Sequence, residues 1–322
     1  MNKHDRPMTG LEGRIRDTER DLFAAVGADV EERFLVLAQT GVRVRVLSHG
    51  SGPPLVLLHG VSLSAAAWAP LFAELHGFRL LAVDLPGHGL SDPFRYRRGR
   101  VREHAHRLID DILDRLGLDQ VPVIGHSLGG MLALWHAAAG ADRISALVAV
   151  GVPAVALPGV RVRMPLSPLT VRGLGGALLR SPSPRPIYRR VLARGLGSEE
   201  VKMAPDWLIE ALRLSARQPG NARTVASLMH AIDRFRRPRP ESVLTDAELA
   251  AIRVPTLFIL GSNDPYLSPQ DARPSVDRIP TATVHEMPAG HGPWLVDPAR
   301  VAGLIAAHLQ LTAALGEPTA VR

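Results

Sequence analysis

A series of short apolar runs constrains this chain more than any other feature. They are Leu55-Val56-Leu57-Leu58, Arg79 to Val83, Val121-Pro122-Val123-Ile124, Ile144 to Val150 and Thr256-Leu257-Phe258-Ile259-Leu260. A strand wetted on one side alternates apolar with polar residues, whereas a strand covered on both faces is apolar throughout, as in a parallel sheet held between helices. Helical patterns stand between the runs: a short one near Trp68 to Leu75, a longer one from Val101 to Leu116 with Leu108, Ile112 and Leu116 on one face, and the apolar stretch Met131 to Ala139. Strand and helix in alternation specify an α/β fold with a doubly wound sheet.

The beginning and the middle depart from that alternation. Residues 8 to 27 place Leu11, Ile15, Leu22 and Val26 on one face of an amphipathic helix, with Arg and Asp on the other. Such a helix is expected to pack on the body or on a partner subunit, which leaves a homodimer open. Phe34-Leu35-Val36-Leu37 and Val42-Arg43-Val44-Arg45-Val46 read as a hairpin around Thr40-Gly41. From Ala154 to Thr245 no clear strand is found; the segment is dense in Pro and Arg, with helical patches at Asp206 to Ala216 and Arg223 to Phe235. Alternation returns with the Thr256 run, a helix near Pro269 to Arg278, a strand from Ala282 to Glu286 and a helix from Pro298 to Leu315. The predicted organisation is an N-terminal helical extension over 1–29, a sheet domain over 30–153 and 246–322, and an inserted helical cap over 154–245.

Composition narrows the function classes. The absence of cysteine excludes disulfides, thiolate nucleophiles and cysteine metal sites, and agrees with an intracellular location. The start, MNKHDRPMTGLEGR, has no apolar core of a signal peptide, and no apolar run reaches spanning length, so a soluble cytoplasmic protein is expected. A net charge of +7 could draw nucleic acid or anionic lipid. Yet Lys3 and Lys202 are the only lysines, and the wealth of Arg, Ala, Gly, Pro and Val reads as coding bias. Only 4% of residues are aromatic, and no basic run is interleaved with stacking rings, so no nucleic-acid partner is expected.

One apolar strand runs into GHSLGG, residues 125 to 130, and then into a helix. That is the G-x-S-x-G elbow, in which a serine tops a sharp strand-to-helix turn and glycines admit close backbone. A serine nucleophile needs a base, a carboxylate to orient it, and donors for an oxyanion. Beyond the Thr256 strand, Gly261-Ser262-Asn263-Asp264-Pro265 offers one carboxylate, Asp264. Beyond the next strand, Ala289-Gly290-His291-Gly292-Pro293 presents His291 on a glycine-flanked loop. Ser127, Asp264 and His291 stand in the order described for α/β-hydrolases. No carboxylate competes at Gly151-Val152-Pro153, and Asp271 and Asp277 fall inside a predicted helix. The backbone N–H groups of Leu128 and of Val61, after His59-Gly60, are the candidate oxyanion donors. His59, Gly60, His126, Tyr266 and Trp294 are expected to border the substrate, His59 and His126 chiefly as structural hydrogen-bonders, like His88. Asp84 in DLPGHG is expected to tie down its own turn.

Four blocks, LLHGV, DLPGHGLSD, GHSLGG and GSNDPY with AGHGPWLVDP, make the chain similar to the α/β-hydrolase superfamily over residues 30 to 153 and 246 to 315. The resemblance implies a mainly parallel sheet of about eight strands flanked by helices. It also implies a cap over an acyl pocket and an acyl-enzyme mechanism. By the same resemblance Ser127 is nucleophile, His291 base and then acid, and Asp264 its orienting partner, with neither metal nor cofactor required. Epoxide hydrolases and haloalkane dehalogenases of this superfamily carry aspartate at the elbow, so Ser127 argues against both. The single cap tyrosine, Tyr188, argues further against an epoxide-opening site, which would want two. The implied reaction is hydrolysis of an ester, lactone or thioester of a small, largely apolar molecule. Carbon–carbon bond hydrolysis, acyl transfer and a non-catalytic ligand-binding role stay open. Arg161, Arg163, Arg185, Arg189, Arg190 and the run Arg234 to Arg239 either receive an anionic group, as in a coenzyme A thioester, or form a solvated face, the reading favoured here.

Overall fold

The apolar runs become the middle of a single eight-stranded sheet. A computed structural model describes residues 10–140, 142–161, 168, 171, 183–234 and 237–316. Arg163, Arg236 and the first nine residues of the expected extension lie outside the described residues. The strands are β1 (Glu31–Val36), β2 (Arg43–His49), β3 (Pro54–Leu58), β4 (Arg79–Val83), β5 (Val121–His126), β6 (Ile144–Val150), β7 (Thr256–Gly261) and β8 (Ala282–Met287), in the order β1-β2-β4-β3-β5-β6-β7-β8. The six from β3 to β8 run parallel, and the β1–β2 hairpin joins β4 antiparallel. The chain leaves β3 toward β4 and comes back past it to β5, so the carboxyl ends of β3 and β5 flank the reversal of winding, where open α/β sheets form a crevice.

Successive side chains of each central strand enter two different cores, which is why these strands are apolar throughout. Val56, Leu58, Val123, Leu147 and Ala149 meet α3 (Val101–Leu116) and α4 (Leu128–Ala138) on one face. Leu55, Leu57, Ile124, Val148 and Val150 meet Trp68, Phe72 and the C-terminal helix on the other. Helix α3 stops at Gly117, whose left-handed φ of 69° lets Leu118 N–H reach back to the Leu113 carbonyl at 2.9 Å.

Between β6 and β7 the described chain forms α5 (Arg185–Leu196), α6 (Ser198–Met203), α7 (Asp206–Ser215) and α8 (Asn221–Ile232). The expectation of no strand here needs one correction: Asp233–Arg234 pairs with Arg237–Pro238, a ladder too short to leave any periodicity in the sequence. The N-terminal helix α1 (Gly10–Ala25) packs on its own chain, setting Ile15 against Leu214 of α7 and Leu90. It also covers Arg45, which the alternation of β2 would turn outward to water. Arg45 is fully buried, gripped by Glu19 of α1 at 2.6 and 2.9 Å and by Asp84 at 2.6 Å. With Glu32 3.3 Å away as a third partner, removing one acid leaves the guanidinium paired with the others, whereas removing Arg45 would leave Glu19 and Asp84 buried as like charges. Among the described residues no helix is long and apolar enough to cross a membrane.

Candidate active site

The parallel strands deliver their carboxyl-terminal loops to one edge of the sheet. After β5 the chain turns at Ser127, with φ 49° and ψ −103°, and enters α4 at Leu128. Among the described residues the only non-glycine residues at positive φ are Ser62, Ser127 and Ala154. Ser127 and Ala154 line one cleft, and Ser62 follows its lining residue Val61. Close packing enforces the turn. A Cβ on Gly129 would stand 2.1 Å from the Leu58 carbonyl oxygen, and one on Gly125 2.5 Å from Gly130 N. Gly129 N–H donates to the His59 carbonyl at 3.1 Å, tying the elbow to the loop after β3.

The other two candidate residues form a buried pair. His291 Nδ1 donates to Asp264 Oδ2 at 2.6 Å, with both side chains almost fully enclosed. Asp264 also accepts the N–H groups of Val152 (3.2 Å) and Tyr266 (2.9 Å), so its orientation is fixed from two loops. With Nδ1 occupied, the proton-accepting nitrogen of His291 is Nε2. The Tyr266 ring meets the imidazole edge-on, 4.5 Å between centroids, and lines the cleft together with Ser127. Val61 and Leu128 are on the same wall, and among the described residues neither backbone N–H has an acceptor.

Of the five residues expected to border the substrate, Tyr266 alone is among the described lining residues. His59 lies behind the wall: Nδ1 reaches the Gly60 carbonyl at 2.7 Å and Nε2 accepts Leu85 N–H at 3.0 Å. Gly60 leaves room for His126, whose Nδ1 would be 2.4 Å from a Cβ there. His126 Nε2 donates to the His291 carbonyl at 2.9 Å, and Trp294 meets the His126 ring edge-on while its indole N–H donates to the Ala67 carbonyl. Burial, with the neighbouring His291 adding to it, holds the His126 pKa well below the usual 6.5, so this ring stays neutral. Burial also lowers His59, and takes His88 down to about 3. Asp84 accepts the N–H groups of Ala65 (2.7 Å) and Leu90 (2.9 Å), tying its turn to the segment after β3. Burial pushes its carboxyl up, but Arg45, His59 and those N–H groups prevail and lower it.

The cleft, of about 420 Å³, is otherwise walled by Val155, Val160, Leu228, Met229 and Ile232 with Ala154. The sequence reading did not name these residues; the spacing of Val225, Leu228, Met229 and Ile232 along α8 marks an apolar face without saying what it faces. Among the described lining residues none is charged. Arg185 and Arg189 converge on Asp206 instead, Arg190 is exposed, and Arg239 Nε donates to the His230 carbonyl. Among the described residues no group of three or more His, Asp or Glu is placed to hold a metal ion.

Residues 53–298 match the model of the alpha/beta hydrolase fold family. The chain is 30% identical over 267 residues to the 2-hydroxy-6-oxononadienedioate/2-hydroxy-6-oxononatrienedioate hydrolase of Cupriavidus pinatubonensis, covering 79% of this chain and 86% of that one. It is 35% identical over 125 residues to an epoxide hydrolase of Siraitia grosvenorii, 36% of this chain but only 37% of that relative's length. In three dimensions it is similar to a carboxylesterase of Bacillus subtilis, with a TM-score of 0.73 at 19% identity over 94% of this chain and 99% of that one.

Proposed function

This chain belongs to the alpha/beta hydrolase fold family, and we propose that it is a serine hydrolase cleaving an ester, lactone or thioester of a small, largely apolar substrate through an acyl-enzyme on Ser127. One observation carries the reading. On a single apolar cleft, a serine in a left-handed backbone adjoins two backbone N–H groups without acceptors among the described residues, and Tyr266 links that cleft to the His291–Asp264 pair.

In this cycle the Ser127 hydroxyl oxygen adds to the acyl carbon while His291 Nε2 takes its proton. The N–H groups of Val61 and Leu128 hold the oxyanion, each worth roughly 2.7–4 kcal/mol in the transition state. Asp264 fixes the tautomer and stabilises the imidazolium. That imidazolium returns the proton to the leaving oxygen or sulfur as its bond to the acyl carbon breaks. Water then adds to the acyl-enzyme, His291 again takes and returns a proton, and the carboxylic acid departs from a restored Ser127. Residues 154–245 act as the cap: Ala154, Val155, Val160 and the α8 face enclose the acyl group, with Tyr266 beside it. His59, Gly60, His126 and Trp294 support the wall from behind. A dioate, as named for the Cupriavidus relative, would bring two carboxylates to a wall whose described residues carry no cation, so ester-type hydrolysis is favoured over carbon–carbon cleavage.

Steady release of p-nitrophenol from short acyl esters is the expected result, with Ser127→Ala lowering turnover by about 10⁴-fold or more. Binding of such esters by the unmutated protein without release would overturn the reading in favour of a ligand-binding role.

A further inference from the structure

The loop that carries His291 is held from outside the sheet. Gly290 and His291 are both buried, and their successive N–H groups are both satisfied by the insert: Gly290 by the carboxylate of Glu200 on α6, His291 by the Leu196 carbonyl that ends α5, at 2.6 Å. The fit is close. A Cβ on Gly290 would lie 2.4 Å from the Leu196 oxygen and 3.0 and 3.1 Å from the Glu200 carboxylate oxygens, and one on Gly292 3.4 Å from Glu200 Cγ. On the other side Gly197, at φ +128°, makes room for Glu200 Oε2, which a Cβ there would meet at 1.9 Å. Helix α6 also packs on α11 (Pro293–Val296), which continues directly from the histidine loop.

Glu200 is 1% exposed, and among the described residues no cation pairs with it. Burial raises its carboxyl above the usual range, against the pull of its own N–H, that of Gly290 and the charge of His291, while Asp264 adds to the rise. A carboxylate without a cation is costly to bury, and an apolar side chain would seat α6 without that cost. What the carboxylate adds is an acceptor for a loop donor that would otherwise be buried and unmet.

We propose that Glu200 is a positioning residue for the proposed hydrolysis: by holding the Gly290 N–H it fixes the loop that presents His291, so the insert, and not the sheet alone, sets where the imidazole stands relative to Ser127. The inference rests on the serine-hydrolase reading. Misplacing a base by about 1 Å costs on the order of 100-fold in rate with little effect on substrate binding. Glu200→Ala is therefore expected to lower kcat about 10- to 100-fold with KM within about two-fold. Glu200→Asp, which keeps the charge but loses the reach, falls likewise, and Glu200→Gln, which keeps an acceptor oxygen at the same reach, recovers most of the loss. Unchanged kcat in Glu200→Ala overturns the proposal, and so does a Gln variant no better than Asp. That Gln–Asp comparison decides alone if the Ala variant does not fold. Should the unmutated protein hydrolyse no ester, the hydrolase reading fails by itself, and the loop-holding claim is read from amide exchange. Gly290 N–H is then expected to be protected, and to exchange at least about ten-fold faster in Glu200→Ala; equal exchange overturns it.

Discussion

Ser127 occupies a backbone region that costs a non-glycine residue roughly 1–3 kcal/mol, and its neighbours leave it no alternative. Gly125, Gly129 and Gly60 each abut atoms that a side chain would displace. Burial lowers the pKa values of His59, His88 and His126 beside this frame, and it lowers that of the half-buried His104 on α3 as well, which has a consequence for stability. His104 stacks on Phe94, 4.0 Å between centroids, and burial lowers its pKa from 6.5 to about 4. Its Nε2 has no partner among the described residues. Unfolded, the ring protonates near 6.5; folded, it does so only near 4, so between those values the unfolded chain binds more protons. Stability is complete above pH 6.5 and is lost as pH falls toward 4, at up to about 1.4 kcal/mol per pH unit for each such group. His88, with a folded pKa of about 3, adds a second group of the same sign. Urea midpoints from pH 7.5 to 4.5 are expected to fall, and to fall by about one proton's slope less in His104→Phe. An unchanged slope in that variant would show that His104 is not buried neutral.

At the scale of elements, α8 decides the size of what the cleft admits. Leu228, Met229 and Ile232, on one side of this helix, line the cleft together with Val61 and Leu128. Met229→Ala is expected to move the preferred acyl chain of p-nitrophenyl esters to longer lengths, and Leu228→Trp to shorter ones, both seen in kcat/KM across a chain-length series. Equal profiles would place the acyl group elsewhere. The elements themselves were largely legible in the sequence. Apolar runs marked the central strands because both faces are covered, and the order of Ser127, Asp264 and His291 on loops that close three different strands marked the candidate site because strand ends converge. What escaped depends on contacts between distant elements. Arg45 lies in an alternating strand that predicts an outward side chain, yet α1 brings Glu19 over it. Glu200 sits in Ser198–Met203, a six-residue helix rich in charge, and nothing in SEEVKM distinguishes a buried glutamate from an exposed one. His59, Gly60, His126 and Trp294 stand close in sequence to Val61, Ser127 and His291, but the described lining of the cleft does not include them, because their contacts run to neighbouring loops and rings.

At the scale of the molecule, two cores clamp one sheet, and the insert closes over the edge where its parallel strands end. The arrangement divides the labour. The sheet fixes Ser127 and Asp264, the insert contributes the apolar wall and two of the bonds to the His291 loop, and α1 braces both through Arg45 and α7. Arg185 and Arg189 engage Asp206, Arg239 the His230 carbonyl, and none of the described insert arginines lines the described cleft, which fits the proposed uncharged acyl group. The central claim is that this assembly makes Ser127 a nucleophile. Treating the folded protein with a fluorophosphonate and mapping the adduct by mass spectrometry tests it most directly: one adduct per chain on Ser127, lost in Ser127→Ala, is the expected result, and folded protein left unmodified at Ser127 would contradict it.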